Sequence, residues 1–185
     1  MTDYVLGVDI GSGSVKLTLL SREGKIAATA GCEYPTYYPH VGWCEQDPED
    51  WWNAAAATIR GVLEKSGVNP GDVRGLGISG QMHGLVLTDA QGNPLGRSMI
   101  WCDGRTQREC EEITQAVGEK RLIEISANPA LTGFTAGKIL WVRRHEPELF
   151  KRARWALLPK DYVRMRLTGV FAQEISDASG TNLLD

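Results

Sequence analysis

A chain of 185 residues can build one domain with a substantial core and is too short for two large ones. Its formal charge of −3 argues against broad nucleic-acid binding, which needs a basic stripe. With 42% hydrophobic and 23% charged residues, it has the balance of an ordinary globular protein, not a disordered one.

The first segment, YVLGV at residues 4–8, reads as a strand. It runs into DIGSGSVK at residues 9–16, where two glycines, two serines, an acid and a base share one loop. Small residues let a backbone approach a bulky anion closely. The loop lacks the Gly-Lys-Ser/Thr ending of a P-loop and the third glycine of a dinucleotide fingerprint. Nor does the loop open a helix. Val15, Leu17 and Leu19 alternate with Lys16 and Thr18, which is strand periodicity. SREGK is a turn and IAATAGCEY a third strand, so the loop joins two strands of a hairpin.

DPEDWWNAAAATIRGVLEKSG reads as the first helix, with Asp47 as cap, Pro48 at the first helical position and Asp50 as the capping-box acid. The spacing places Trp52, Ala55, Ala56, Ile59, Val62 and Leu63 on its buried face, and Gly67 stops it. Strands are expected at VRGLGISG, LVLT and SMIWC. Helices are expected at about 106–117, 119–125, 135–145 and 160–168. No linker, repeat or low-complexity tract intervenes. The order gives an α/β mixed sheet flanked by helices.

Cys32, Cys44, Cys102 and Cys110 form no CxxC pair and have no histidine at metal-ligand spacing, so reduced thiols are expected. Asp3 and an early strand stand where a signal peptide would open, and no apolar run reaches bilayer length. A cytoplasmic protein with no membrane partner is expected.

A strand, an acid, a Gly/Ser hairpin turn and a basic residue resemble the first phosphate motif of the sugar kinase, hsp70 and actin superfamily. That resemblance implies a ribonuclease H-like fold. GFTAGKILWVRRH, residues 133–145, is similar to the N-terminal signature of the FGGY carbohydrate kinases, and GWCEQDPEDWW resembles that family's Trp-x-Glu-x-Asp-Pro segment. Within the family, GISGQMHG, LLPKDYVRMRLTG and SDASGT resemble the xylulokinases. Such kinases are far longer than 185 residues, so the resemblance implies an N-terminal domain over residues 1–185, inactive alone. A second domain would carry the rest of the ATP site and a catalytic aspartate.

The resemblance implies ATP and Mg²⁺ as cofactors and a ketopentose, with D-xylulose first, as the small-molecule substrate. Asp9 is the expected magnesium ligand through water, and hence the catalytic residue of this chain. Gly11, Ser12, Gly13 and Ser14 would offer amides and hydroxyls to the nucleotide phosphates, with Lys16 adding a point charge. Gln81, Met82 and His83 would line the sugar pocket, with Trp101 and Asp103 as a carbohydrate wall. Many members carry Asn where Cys102 stands, which removes one hydrogen-bonding side chain.

Without the resemblance, several of these residues have plainer uses. Asp9 is a turn cap, His83 and Met82 a core pair, Lys16 a solvent-facing strand residue, and Arg105 an ion-pair partner for Asp103. Lys138, Ile139, Trp141, Val142 and His145 fit a buried helix stripe. Asp161 fits either a cap at the start of its helix or a substrate contact, and Trp43, Trp51, Trp52 and Trp155 read as core anchors. Two alternatives stay open: a sugar-binding or regulatory module without transfer, and an FGGY kinase for another pentulose or polyol. No nucleic-acid partner is expected, and a homodimer is admissible.

Overall fold

The computed structural model describes residues 3–184. In chain order the strands and helices are β1 (Tyr4–Ile10), β2 (Ser14–Ser21), β3 (Ile26–Glu33), β4 (Glu45–Gln46), α1 (Pro48–Ser66), β5 (Val73–Gly80), β6 (Val86–Thr88) and β7 (Ser98–Met99). Next come α2 (Gln107–Val117), α3 (Glu119–Ser126), α4 (Thr135–His145), α5 (Pro147–Arg152), β8 (Trp155–Leu157), α6 (Pro159–Thr168) and α7 (Ile175–Ala178). Contacts divide the chain into two compact units. One comprises the residues up to Pro35 with Glu49–Gln81; the other comprises Thr36–Pro48 with the chain from Met82 onward.

The first unit is built on a four-stranded mixed sheet in the order β3-β2-β1-β5. β1 and β2 pair antiparallel, as do β2 and β3, while β5 returns parallel to β1. Antiparallel neighbours need only short turns, whereas the parallel return needs a long connection, and α1 lies within it. The period of two decides which side chains face the core. Leu6, Val8 and Ile10 of β1 and Val15, Leu17 and Leu19 of β2 are all buried. Asp9 and Lys16 are exposed on the other face.

α1 starts at Pro48 and stops at Gly67, as the sequence implies. Gly67 has φ +66° and its N–H donates to Leu63 O at 3.1 Å. Its buried stripe differs from the expected one. Trp51, Ala54, Ala55, Thr58 and Val62 are buried, while Trp52, Ala56, Ile59 and Leu63 are only partly so. The stripe is rotated by about one residue toward small side chains. Thr58 enters it because its hydroxyl donates to Ala54 O at 2.7 Å and so carries no unpaired donor inward.

The second unit packs Leu85, Met99, Trp141 and Val142 into a core, with Trp43, Leu87, Ile139, Leu149, Phe150 and Ala156 against it. β4 pairs with β7 and β6 with β8, each in a two-stranded antiparallel ladder. The four expected helices appear within a residue of their bounds as α2, α3, α4 and α6. The short α5, β8, α7 and β4 were not expected, because two to six residues carry too little periodicity to read. Trp155 is corrected: at 38% exposed it is no core anchor and stacks instead on Phe171 at 4.7 Å. His145 leaves the α4 stripe as well, exposed and stacked on Trp141. Among the described residues no helix is long and apolar enough to cross a membrane.

Candidate active site

In the first unit, Asp9 and Lys16 are direct Cα partners across β1 and β2, and Ser79 is the partner of Asp9 on β5. All three are exposed. They line a shallow depression of about 450 Å³ with Gly7, Val8, Thr18, Gly77 and Ile78. The glycines keep this floor low, so a large anion can lie against main chain. At the mouth, Gly11 N–H donates to Ser14 O at 3.0 Å and closes the hairpin. That corrects one expectation: the Gly11 amide is spent inside the turn. Ser12 and Gly13 form the exposed tip, and Ser14 begins β2.

A buttress for this turn went unnoticed in the sequence. Tyr34 is buried, its N–H donates to Gly13 O at 3.3 Å, and its hydroxyl donates to Gly11 O. Burial first, and the Asp9 charge second, push the phenol well above its ordinary value, so it remains a donor. The only signal was an aromatic just past β3.

Gln81 closes the first unit, buried, with its N–H on Ile10 O at 2.7 Å. In the second unit Met82 is exposed and His83 half-buried. His83 sits at φ +64°, a left-handed conformation that few side chains adopt. Its ring lies 4.5 Å from Phe134, and its Nδ1 is buried without a hydrogen-bond partner. Burial, then the Lys138 charge, lowers its pKa, so the imidazole is neutral at neutral pH. Gly180 rests against the ring: a Cβ there would come within 2.5 Å of Cε1.

Trp101 is 44% exposed, beside exposed Cys102. Asp103 is 1% exposed and wholly engaged. Its oxygens accept from Cys44 N–H at 2.7 Å, from Arg105 N–H at 3.1 Å and from the Arg105 guanidinium at 2.6 and 2.9 Å. Arg105 also meets Glu45 at 2.7 Å and lies 3.5 Å from the Trp43 ring centroid. Asp103 therefore shapes the loop that carries Trp101, as the plainer reading of the Asp103–Arg105 pair has it.

Lys138 is fully buried on α4. Its ammonium donates to His83 O at 2.8 Å, Ile100 O at 3.0 Å and Gly133 O at 2.7 Å. Those carbonyls belong to the three segments that carry His83, Trp101 and Phe134. Gly133 allows their close approach, because a Cβ there would meet Trp101 O at 2.9 Å. Burial pulls the lysine pKa down to about 7, opposed chiefly by the Asp103 charge. Thr135 adds a hydroxyl bond to His83 O at 3.2 Å.

Asp161 is corrected as a cap. Leu158 is the N-cap of α6, and Asp161 sits in its first turn, buried beside Lys160 at 3.3 Å. Lys160 in turn meets Asp177 at 2.6 Å. A separate cavity of about 180 Å³ lies among Glu45, Leu87, Arg97, Arg105, Glu146 and other residues. None of the site residues named from the sequence lines it.

The family profile described as "FGGY family of carbohydrate kinases, N-terminal domain" matches residues 4–185. The chain belongs to the FGGY family. It is 44% identical over 181 residues to the xylulose kinase of Bacillus subtilis (strain 168), covering 98% of this chain and 36% of that protein. It is 43% identical over 180 residues to the xylulose kinase of Escherichia coli (strain K12), covering 97% of this chain and 36% of that protein. The crystal structure of xylulose kinase from Rhodospirillum rubrum superposes with a TM-score of 0.92 at 28% identity, covering 98% of this chain and 37% of that one. This FGGY chain therefore spans about a third of the length of the curated relatives it matches. The expected fold class holds: the mixed α/β sheet is of the ribonuclease H-like, actin and sugar kinase type.

Proposed function

We propose that this FGGY chain is the N-terminal, sugar-binding domain of a cytoplasmic kinase that transfers the γ-phosphate of ATP to the primary hydroxyl of D-xylulose. The observation that carries the reading is the paired exposure of Asp9 and Lys16 on a glycine-floored sheet face, in a chain whose relatives are named xylulose kinases.

Phosphoryl transfer is mostly positioning and charge neutralisation. Among the described residues no three His, Cys, Asp or Glu side chains cluster to hold a metal. A lone exposed carboxylate fits Mg²⁺, which keeps several waters and shares its remaining positions with phosphate oxygens. Asp9 would hold that ion through water. The ion, when bound, neutralises charge on the transferring phosphate. Lys16 adds a second positive charge on the same face, and the Ser12–Gly13 tip offers polar groups at low steric cost. Met82 would supply an apolar wall to the sugar. His83, half-buried, would meet a sugar hydroxyl through a ring nitrogen. Trp101 would stack on the sugar's C–H face. The base that takes the hydroxyl proton belongs to the remainder of the protein.

The test is turnover by the full-length protein with MgATP across D-xylulose, L-xylulose, D-ribulose and glycerol. The highest kcat/KM is expected with D-xylulose. Preference for ribulose or glycerol would overturn the substrate and leave the family untouched.

A further inference from the structure

All four cysteines are free thiols, and two of them form a pair that the sugar-kinase reading does not use. Cys44 directly precedes β4, and Cys102 lies three residues beyond the end of β7. The Cys102 Sγ lies 2.7 Å from the Cys44 Sγ. The backbones around them are tied on both sides. Ile100 N–H donates to Cys44 O at 3.1 Å, Gly104 N–H to Gly42 O at 2.9 Å, and Cys44 N–H to Asp103 Oδ2 at 2.7 Å. The β4–β7 ladder, with Glu45 opposite Met99, continues the same clamp. The two sulfurs are thus held facing each other by main chain, at a separation not far above the disulfide bond length of about 2.05 Å.

Their environments differ in access to solvent. Cys102 is exposed and Cys44 buried. Burial, with the adjoining Cys102 thiol and the Asp103 charge, pushes the Cys44 thiol up to about 12, while the nearby Tyr38 hydroxyl acts the other way. Cys44 therefore waits as a protonated thiol beneath an accessible one.

We propose that Cys44 and Cys102 are a modification site, a reversible intramolecular disulfide formed by hydrogen peroxide. Cys102 sulfur attacks a peroxide oxygen; the O–O bond breaks, water leaves, and Cys102 becomes a sulfenic acid. Cys44 sulfur then displaces the sulfenic hydroxyl, which leaves as water with the Cys44 proton. In total two thiols lose two electrons and two protons, and one peroxide becomes two waters. The bond joins the Trp101–Arg105 loop covalently to the strand at Glu45. A dithiol reductant reverses it.

The experiment treats the full-length protein with hydrogen peroxide, blocks remaining thiols with iodoacetamide, and maps peptides without reduction. A linked peptide containing Cys44 and Cys102, lighter by two hydrogens than its parts, is expected, and dithiothreitol should abolish it. Cys32, exposed on β3, serves as the internal control and should stay alkylatable or oxidise without linking to either. Cys102→Ser, a change at an exposed position, should abolish the loss of the Cys44 thiol altogether. The proposal is overturned if wild-type Cys102 accumulates as sulfinic acid while Cys44 stays alkylatable after denaturation. It is equally overturned if Cys44 oxidises at an unchanged rate in Cys102→Ser.

Discussion

On the β1–β2 hairpin, Asp9 and Lys16 are placed by main-chain pairing alone: seven Cα partners from Tyr4 to Ile10 fix which face each side chain takes. Around α4 the opposite holds. His83, Trp101 and Phe134 come from three loops without a shared ladder, and a buried ammonium and a buried carboxylate hold them. The first region leaves its charged groups in water and available; the second hides its charged groups to shape a loop surface. Substitution should therefore separate cleanly into loss of rate in one region and loss of stability in the other.

The sharpest break is Asp9→Asn in the full-length protein. The side chain is exposed, so unfolding free energy should stay within about 0.5 kcal/mol of wild type. Removing the charge proposed to hold the magnesium ion should lower kcat about 10³-fold. Steady-state kinetics beside urea unfolding measures both, and a variant that lost stability but kept kcat would reverse the contrast.

Lys138→Met tests the other region. Methionine fills the space but takes one donor from each of three carbonyls; Thr135 still serves His83 O and the Asp103 N–H still serves Ile100 O, so a loss of about 2 kcal/mol is expected after the ammonium's own burial cost is removed. The lysine also leaves a signature in pH. Its folded pKa, about 7, lies below its ordinary 10.5, so the unfolded chain binds the proton more tightly between them. The lysine's contribution is full above that upper value and is lost as pH falls through about 7, with a slope of at most about 1.4 kcal/mol per unit. Urea midpoints from pH 7 to 10 should rise more steeply in wild type than in Lys138→Met.

His83→Asn sharpens the comparison within the loops around α4. Asparagine tolerates the left-handed conformation, so the φ of +64° survives and only the ring is lost. One sugar hydrogen bond is worth about 1–1.5 kcal/mol, so KM for D-xylulose should rise about tenfold with kcat nearly unchanged.

The same contrast explains what could be read in the sequence. Alternation through residues 4–20 and the Gly/Ser turn marked the hairpin, since strand pairing over a short turn is local information. The 3.6-residue period marked α1, but Thr58 entered the buried stripe through a backbone hydrogen bond that hydropathy does not register. His83, Trp101 and Lys138 lie in segments far apart in the chain. The resemblance marked His83, an aromatic beside an acid and a base marked Trp101, and nothing local marked Lys138 as their clasp. Asp103 read as a sugar contact because composition cannot tell an acid facing solvent from one spent on Arg105 and a buried amide.

The smallest expected effect lies at Tyr34, where the hairpin departs from its reliance on main chain alone. Its hydroxyl donates to Gly11 O, and burial keeps the phenol protonated. Tyr34→Phe keeps the ring and its packing and removes one hydrogen bond, which costs about 1 kcal/mol. The loss falls on the turn proposed to meet the nucleotide, so KM for MgATP should rise about threefold to fivefold, with KM for D-xylulose fixed. If the variant instead lost sugar affinity, the buttress would serve the loops around α4, and the division between a ladder-held and a charge-held region would fail at this residue.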